Sequence, residues 1–316
     1  MTSDPSYTTE EVANLLKISK LTVYDLIKKG KLPAYRVGKQ MRVEAADLEA
    51  YKRRAKAPAQ PAAPAFDDFP SGRPDAPSPA VLRSIVITGQ DLSLDILSKH
   101  LENRLTGFRP LRSYAGSLDS LISMYRGESD LVSTHLLDGD TGEYNLPYIR
   151  KILVGSSYRV VNLLSRQAGL YVRKGNPLSL KAWKDLGKPG LRLVNREVGS
   201  GARVLLDEQL RLNGIDRASV SGYDRIESSH LAVAGKVGQG EADVGVGIEK
   251  AAAIVGNVDF VPLIRERYDL VMRKAPGNAE WIEAVMDILQ SEAYLNELRA
   301  IQGYDLSQTG RIWLEV

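Results

Sequence analysis

Three short loops of the chain place small or hydroxyl-bearing residues immediately before a predicted helix. These loops are Thr88-Gly89-Gln90, Ser117 and Gly199-Ser200-Gly201. The first turn of a helix carries backbone N–H groups without intrahelical partners and the positive end of the helix dipole, so it can hold an anion. The loops therefore predict a site for a small anion, although each glycine could equally serve the turn itself.

Side chains close to these loops could complete such a site. The hydroxyls of Thr88, Ser117 and Ser200 could donate hydrogen bonds, and nearby arginines could supply positive charge. His135 ends a predicted strand, where it could face the site or pack against a backbone carbonyl. The candidate ligand-binding residues are Thr88, Gly89, Gln90, Ser117, His135, Arg196, Ser200, Gly201 and Arg203.

Patterns typical of enzymes and metal sites do not occur in the sequence. The chain has no cysteine, and its three histidines, His100, His135 and His230, lie far apart without metal-ligand spacing. The sequence contains no nucleophile elbow, P-loop or dinucleotide-binding fingerprint. We therefore expect a binding protein and not an enzyme, with no metal and no tightly bound cofactor. We expect His230, which opens a predicted helix, to cap it or pack there.

Composition and charge divide the 316 residues unevenly. Residues 1–56 hold 12 Lys/Arg and 7 Asp/Glu, whereas the rest of the chain is slightly acidic. A basic excess in a small segment is expected where a protein meets a polyanion. The chain starts with polar residues and has no apolar run near the ~20 residues of a membrane helix, so we expect a cytoplasmic location.

A proline-rich stretch separates the basic segment from the remainder. Residues 55–80 hold seven prolines and eight alanines, a composition that favours an extended spacer over helix or sheet. The sequence therefore predicts a domain at 1–56, a linker at 57–80 and a larger domain at 81–316.

The first 56 residues carry the pattern of two short helices joined by a tight turn. Thr8 or Thr9 can cap the first helix, and Ser19 can cap the second after a three-residue break. The segment "AYRVGKQMRV" then predicts a β-hairpin with a basic tip, and a further helix closes the domain.

Residues 7–54 resemble the excisionase-type, MerR-like winged helix-turn-helix of bacterial regulators, through "YTTEEVANLLKIS", "TVYDLIKKGKLPAYRVGKQMRV" and "DLEAY". The resemblance implies a mostly α-helical fold in which the second helix enters the major groove of double-stranded DNA and the hairpin touches the backbone. Lysine and arginine contacts to phosphate would then supply most of the affinity. The candidate DNA-binding residues are Lys20, Thr22, Tyr24, Lys28, Arg36, Lys39 and Arg42.

The larger domain alternates predicted strands and helices, which indicates an α/β fold. Two segments, 124–137 and 236–249, share a helix end with a glycine stop, then an acidic residue and a strand. This repeated pattern either reflects the ordinary way in which a helix leads into a strand or indicates two similar lobes.

Residues 81–316 resemble a two-lobed type 2 periplasmic-binding-protein-like domain of cytoplasmic proteins, often joined to excisionase-type modules and to molybdopterin-biosynthesis proteins. The matching stretches include "GESDLVSTHLLD", "LVNREVGSGARVLLDEQL" and "GYDLSQTG". The resemblance implies lobes at about 81–165 with 266–316 and at 166–265, crossing segments at 163–176 and 261–274, and a ligand cleft between the lobes.

The resemblance also suggests molybdate or tungstate as the effector. The chain departs from the family at Gly89 and Ala202, where the usual pattern has serine and threonine, so two hydroxyl donors are missing and the site gains room. We therefore expect a one-component transcription regulator, acting as a homodimer or higher homo-oligomer, that senses an oxyanion such as molybdate or tungstate. The alternatives are a regulator of a larger organic ligand, or a molybdenum-cofactor biosynthesis or storage protein.

Overall fold

The computed structural model describes residues 6–16, 19–28, 32–37, 40–56 and 82–316 of the chain. The predicted linker at 57–80 lies outside these residues, and so does Lys39 at the predicted hairpin tip. The chain divides into two compact units, Met1–Ala76 and Pro77–Val316.

In the described residues of the first unit, three helices pack on a small antiparallel sheet with the strand order β1-β3-β2. Its elements are β1 (Ser6–Thr8), α1 (Thr9–Leu16), α2 (Lys20–Lys28), β2 (Tyr35–Val37), β3 (Gln40–Glu44) and α3 (Ala45–Lys56). The predicted hairpin corresponds to β2 and β3, which pair from Tyr35 with Arg42 to Val37 with Gln40. A core that includes Val12, Val23, Leu32, Val43 and Leu48 lies between the helices and the sheet.

Side-chain caps fix where the first two helices begin. Thr8 Oγ1 accepts the Glu11 N–H at 3.3 Å, and the Glu11 carboxylate accepts the Thr8 N–H at 2.8 Å, which forms a reciprocal capping box. Ser19 Oγ accepts the Thr22 N–H at 3.1 Å. The caps predicted from the sequence at Thr8 and Ser19 are therefore confirmed.

The second unit is an α/β structure, as the alternating pattern predicts. Its elements in chain order are β4 (Arg83–Thr88), α4 (Leu92–Arg104), β5 (Phe108–Ser113), α5 (Ser117–Tyr125), β6 (Leu131–Thr134), α6 (Leu146–Ile152), β7 (Tyr158–Arg173), β8 (Leu193–Arg196), α7 (Gly201–Leu212), β9 (Ile226–Glu227), α8 (His230–Gly238), β10 (Val244–Ile248), α9 (Glu249–Val255), β11 (Val258–Arg273), α10 (Ala279–Gln290), α11 (Glu292–Arg299), β12 (Tyr304–Asp305) and β13 (Ile312–Glu315).

Two long strands join the two halves of this unit. β7 and β11 pair antiparallel over 16 residues each, at the centre of a sheet with the order β5-β4-β6-β11-β7-β10-β8-β9. Both segments predicted to cross between lobes lie mainly in this pair. One half of each strand packs in a core with α4 and α10, and the other half packs in a core with α7.

We call the elements β4–α6 and α10–β13 lobe one, and the elements β8–α9 lobe two. The long strands β7 and β11 belong to both lobes.

The two similar segments, 124–137 and 236–249, each contain a left-handed glycine at the end of a helix. Gly127 and Gly240 have φ of 78° and 77°, a conformation that favours glycine. Within the described residues, no helix is long and apolar enough to span a bilayer.

Candidate ligand pocket and DNA-binding surface

A cavity of about 380 Å³ lies between the lobes, beside the central strands. Lobe one and the central strands line it with Gln90, Asp91, Leu92, Tyr114, His135, Arg166 and Tyr268. Lobe two lines it with Arg196, Ser228, Ser229, His230, Leu231, Ile248, Lys250, Ala251 and Ile254. Of the nine candidate ligand-binding residues, the structure brings together three here, namely Gln90, His135 and Arg196.

Three helices begin at this cavity, but only one of them is among the three that the sequence suggested. α4 starts there with Leu92, as expected, and the other two are α8, with His230 and Leu231, and α9, with Lys250 and Ala251. The positive ends of three helix dipoles thus lie at the cavity, while Asp91 and Ser229 accept hydrogen bonds from first-turn N–H groups of α4 and α8.

The starts of α5 and α7 instead pack against each other across the interface between the lobes. The Leu118 N–H of α5 donates to the Gly199 carbonyl at 2.9 Å. A Cβ atom added at Gly116 would lie 2.8 Å from that carbonyl oxygen and 2.9 Å from Ser200 Cα. This close contact leaves no room for an anion between the two helix ends.

The predicted hydroxyl donors are bonded within the protein and do not line the cavity. Thr88 Oγ1 bonds to Ser129 Oγ at 2.7 Å, and Ser117 Oγ accepts the His135 N–H at 3.2 Å. Ser200 Oγ caps α7 by accepting the Arg203 N–H at 3.3 Å and donates to the Glu197 carbonyl at 2.8 Å. These hydroxyls stabilise the loops that surround the cavity.

Gly89 and Gly201 are positions where the backbone approaches a neighbouring side chain closely. A Cβ atom at Gly89 would lie 2.0 Å from Ser133 Oγ, and one at Gly201 would lie 2.3 Å from the His135 ring. Both glycines therefore allow tight packing behind the cavity wall.

Arg203 lies away from the cavity. Its Nε donates to Asp207 at 3.2 Å, its Nη1 donates to the Arg196 carbonyl at 3.3 Å, and its guanidinium lies 4.0 Å from the centre of the Tyr223 ring. These contacts indicate that Arg203 stabilises the packing of lobe two.

Gln90 and Arg196 form a polar bridge between the lobes. Arg196 makes a two-pronged ion pair with Glu197, in which both contacts are 2.7 Å, and its Nη2 also donates to Gln90 Oε1 at 2.7 Å. Gln90 Nε2 donates back to Glu197 at 3.1 Å. Because Gln90 belongs to lobe one and the other two residues to lobe two, this bridge closes one edge of the cavity.

Arg166 is the buried centre of the cavity wall, and sequence reasoning missed it. Its Nε donates to Glu266 and its Nη1 to Asp91, both at 2.5 Å, and its guanidinium lies 4.7 Å from the centre of the Tyr268 ring. A signal was present in the sequence, because an arginine in the middle of a long strand with many apolar residues must find partners where the strand is buried.

The partners of Arg166 are ionised in the folded protein. Burial raises the pKa of Glu266, but the charges of His135 and Arg166 outweigh this effect and hold it well below the ordinary value. Burial likewise opposes ionisation of Asp91, whereas Arg166 and the hydrogen bonds from Ser93 lower its pKa overall. His135 Nδ1 lies 3.1 Å from Glu266, and its ring stacks on Tyr268, so His135 both packs and faces the cavity.

His230 lines the cavity as the first residue of α8. Its Nδ1 is buried and has no hydrogen-bond partner among the described residues. Burial, together with the charges of Arg196 and Arg166, holds the pKa of His230 well below its ordinary value, so the ring is neutral at physiological pH. His230 opens a helix, as expected, but the sequence did not predict that it lines the cavity.

The candidate DNA-binding residues that the structure describes lie on α2 and β3. Lys20, Thr22 and Tyr24 are exposed on α2, and Lys20 pairs with Glu10 at 3.1 Å. Arg42 on β3 is partly buried and donates to Ser6 Oγ at 3.1 Å. Lys39 and the side chains of Lys28 and Arg36 lie outside the described part of the chain.

In the described part of the chain, no cluster of His, Asp and Glu is arranged to hold a metal ion.

Residues 98–290 match the PBP superfamily domain, named after periplasmic binding proteins, and residues 6–56 match a helix-turn-helix domain. The uncharacterized protein YvgK of Bacillus subtilis is 51% identical over 320 aligned residues, which cover 100% of both chains. A proposed phosphate ABC transporter substrate-binding protein from Clostridium perfringens, with bound phosphate, superposes with a TM-score of 0.52 at 14% identity over 71% of this chain and 99% of that chain. A histidine kinase sensor domain superposes with a TM-score of 0.51 at 13% identity over 71% and 98%. At these identities, the solved structures support the fold of the second unit alone.

The contact between α5 and α7 leads to a stability prediction. We expect Gly116→Ala to reduce the free energy of unfolding by about 1–3 kcal/mol, because the new methyl group must push the Gly199 carbonyl away. The control is Gly235→Ala in α8, where no atom lies within 4 Å and the change should stabilise by about 0.5–1 kcal/mol. Urea denaturation followed by tryptophan fluorescence reports the second unit alone, since all three tryptophans lie there. Equal stability of Gly116→Ala and wild type would contradict the close approach.

The neutral state of His230 leads to a pH prediction. The unfolded chain takes up a proton at this residue as the pH falls below its ordinary pKa of 6.5, whereas the folded protein does not. The free energy of unfolding should therefore decrease as the pH falls, with a contribution of up to about 1.4 kcal/mol per pH unit. We expect His230→Gln to remove this contribution in urea denaturation between about pH 7 and pH 5. A variant with the same slope as the wild type would show that His230 is not held neutral.

Proposed function

We propose, from the premise that the chain belongs to the PBP superfamily, that it is a DNA-binding regulator which senses a small ligand in the cavity between its lobes. The observation that carries the proposal is the cavity itself, whose wall is built from both lobes. Its volume of about 380 Å³ lies within the range of roughly 300–1,000 Å³ that is usual for small-molecule sites. The helix-turn-helix unit supplies the DNA-binding half of the proposal.

The cavity suggests how a ligand would act. A ligand that contacts Arg166 on the central strands and Arg196 or Lys250 on lobe two favours the arrangement in which these groups are close. A ligand shifts such an equilibrium only by the difference between its affinities for the two arrangements. We infer that closure of the lobes changes the DNA affinity of the first unit within a homodimer.

The unused donors of the cavity wall favour an anionic ligand. Arg166, Arg196 and Lys250 line the wall. Carboxylates balance the charge of the two arginines, but Lys250 forms no ion pair with a described residue, and each guanidinium keeps one nitrogen without a partner among the described residues. Molybdate and tungstate are therefore the inorganic anions to test first. We infer binding without turnover, because the Asp91 carboxylate is bonded to Arg166 and Ser93 and is held ionised, so it is poorly placed as a general acid or base.

The test measures DNA binding by the full-length protein with and without its ligand. Native mass spectrometry of purified protein identifies any compound that copurifies and counts the chains, for which we expect two. Fluorescence anisotropy with a fragment of the protein's own promoter should then show an affinity that falls steeply with salt and changes when the compound is removed.

Two variants separate the functions of the two units. Lys20→Gln on the exposed face of α2 should weaken DNA binding and reduce the salt dependence by about one phosphate contact, without affecting the ligand. Arg196→Gln should retain DNA binding but lose the response to ligand. Failure of the full-length protein to shift any promoter fragment at low salt would overturn the regulator proposal. If a bound ligand did not change the affinity for DNA, the result would favour a storage or biosynthetic protein that uses its first unit only to locate itself on DNA.

A further inference from the structure

We propose that the cavity selects an organic anion that has an apolar body and no ammonium group. This inference rests on the proposed function and names the class of its ligand. It follows from a shortage of free acceptors, a surplus of free donors and an apolar rim, all on one cavity wall.

Three cations on the wall retain hydrogen-bonding capacity. Arg196 is 2% exposed and uses Nε and Nη2, and Arg166 is 6% exposed and uses Nε and Nη1. The remaining nitrogen of each guanidinium has no hydrogen-bond partner in the described ranges. Lys250 Nζ lies 5.3 Å from the centre of the Tyr304 ring and forms no ion pair with a described residue. The wall therefore offers several charged donors to a ligand.

The nearby carboxylates, in contrast, are already occupied. Asp91 Oδ1 accepts hydrogen bonds from the Ser93 N–H, the Ser93 hydroxyl and the Tyr304 hydroxyl, and Asp91 Oδ2 accepts one from Arg166. Glu266 accepts one bond on each oxygen, from Arg166 and from His135. Glu197 accepts from Arg196 on both oxygens and from Gln90 on one. Each of these six oxygens therefore has a protein donor.

A ligand with an ammonium group would meet an unfavourable environment here. Its charge would be removed from water beside Lys250, and none of the three described carboxylates, Asp91, Glu266 and Glu197, would be free to pair with it. Breaking a carboxylate away from Arg166 would leave a buried guanidinium unpaired, which is also costly. His230 Nδ1 on the same wall has no partner among the described residues, but a neutral imidazole carries no charge that could balance an ammonium group. Amines and amino acids are therefore disfavoured, while a group that only accepts hydrogen bonds is favoured.

The rim of the cavity is suited to an apolar body. Leu92 on lobe one and Leu231 and Ile254 on lobe two are 47%, 45% and 61% exposed, and all three line the cavity. Covering such side chains contributes about 25 cal/mol for each Å² removed from water. A ligand whose apolar part touches both sides of the rim would bury side chains of both lobes.

The size of the cavity points the same way. If each oxygen of a tetrahedral oxyanion occupies about the ~30 Å³ of a water molecule, the ion fills on the order of 100 Å³. The cavity of about 380 Å³ is several times larger. An inorganic oxyanion alone would leave the apolar rim uncovered.

The experiment compares matched pairs of compounds that differ by one amino group. Full-length protein is freed of copurifying compounds by partial unfolding and refolding. Its melting temperature is then measured with isocaproate and leucine, hydrocinnamate and phenylalanine, and valerate and norvaline, as well as with molybdate and phosphate. We expect at least one carboxylate to raise the melting temperature, and its amino-acid counterpart to have no effect at the same concentration, because a ligand of the folded state stabilises by mass action.

Three variants locate the effect. Arg196→Gln should weaken binding of the active carboxylate about ten- to a hundredfold by calorimetry, because a hydrogen bond to a charged group is lost. Leu231→Gln should weaken binding of the active carboxylate but leave binding of a small inorganic ion unchanged. Arg109→Gln is the matched control, because Arg109 is exposed on β5 and does not line the cavity.

Each contrary outcome has a distinct meaning. Equal stabilisation by an amino acid and its carboxylate, lost in Arg196→Gln, would overturn the ligand class but leave the cavity as the sensor site. Stabilisation by molybdate alone, unaffected by Leu231→Gln, would replace the organic anion with an inorganic one. No stabilisation by any carboxylate would overturn the inference, and the response of DNA binding to the copurifying compound would still decide the proposed function.

Discussion

The ion pairs of Arg166 hold the centre of the second unit together. Arg166 lies opposite Glu266 in the pairing of β7 with β11, and β12 pairs with β7 at the same position through Tyr304. Asp91, which caps α4, completes the cluster. A buried guanidinium without its partners would cost several kcal/mol, so four elements are fixed around this one side chain. The strands shared by the two lobes are thereby anchored where the cavity begins.

The same cluster determines the chemistry that the cavity can offer. Because Asp91 and Glu266 neutralise Arg166, their oxygens are used within the protein, and the wall presents donors to a ligand. Glu197 does the same for Arg196 at the edge between the lobes. A structural requirement, the pairing of buried charges, thus underlies the functional property that we propose, a preference for ligands that accept hydrogen bonds.

Contacts between protein atoms already join the two lobes. The backbone bond from Leu118 to Gly199 lies outside the cavity, and the bridge from Gln90 to Arg196 lies at its edge. A ligand therefore adds to an interface that already exists, and its own contacts need to supply only part of the energy of closure. This arrangement is consistent with the proposed sensor, because a modest difference in affinity is enough to change the populations of two states.

The sequence by itself determined the local features of this protein: the alternation of strands and helices, the caps at Thr8, Ser19 and Asp91, and the left-handed glycines at helix ends. Each depends on residues within one turn of the chain, so the pattern is sufficient. It also predicted that helix starts would meet at a cleft between the lobes, but not which ones. Only the tertiary structure placed α8 and α9 at the cavity and packed α5 against α7. The partners of Arg166 are 75 and 100 residues away, a distance at which the sheet order, and not local periodicity, decides which charges meet.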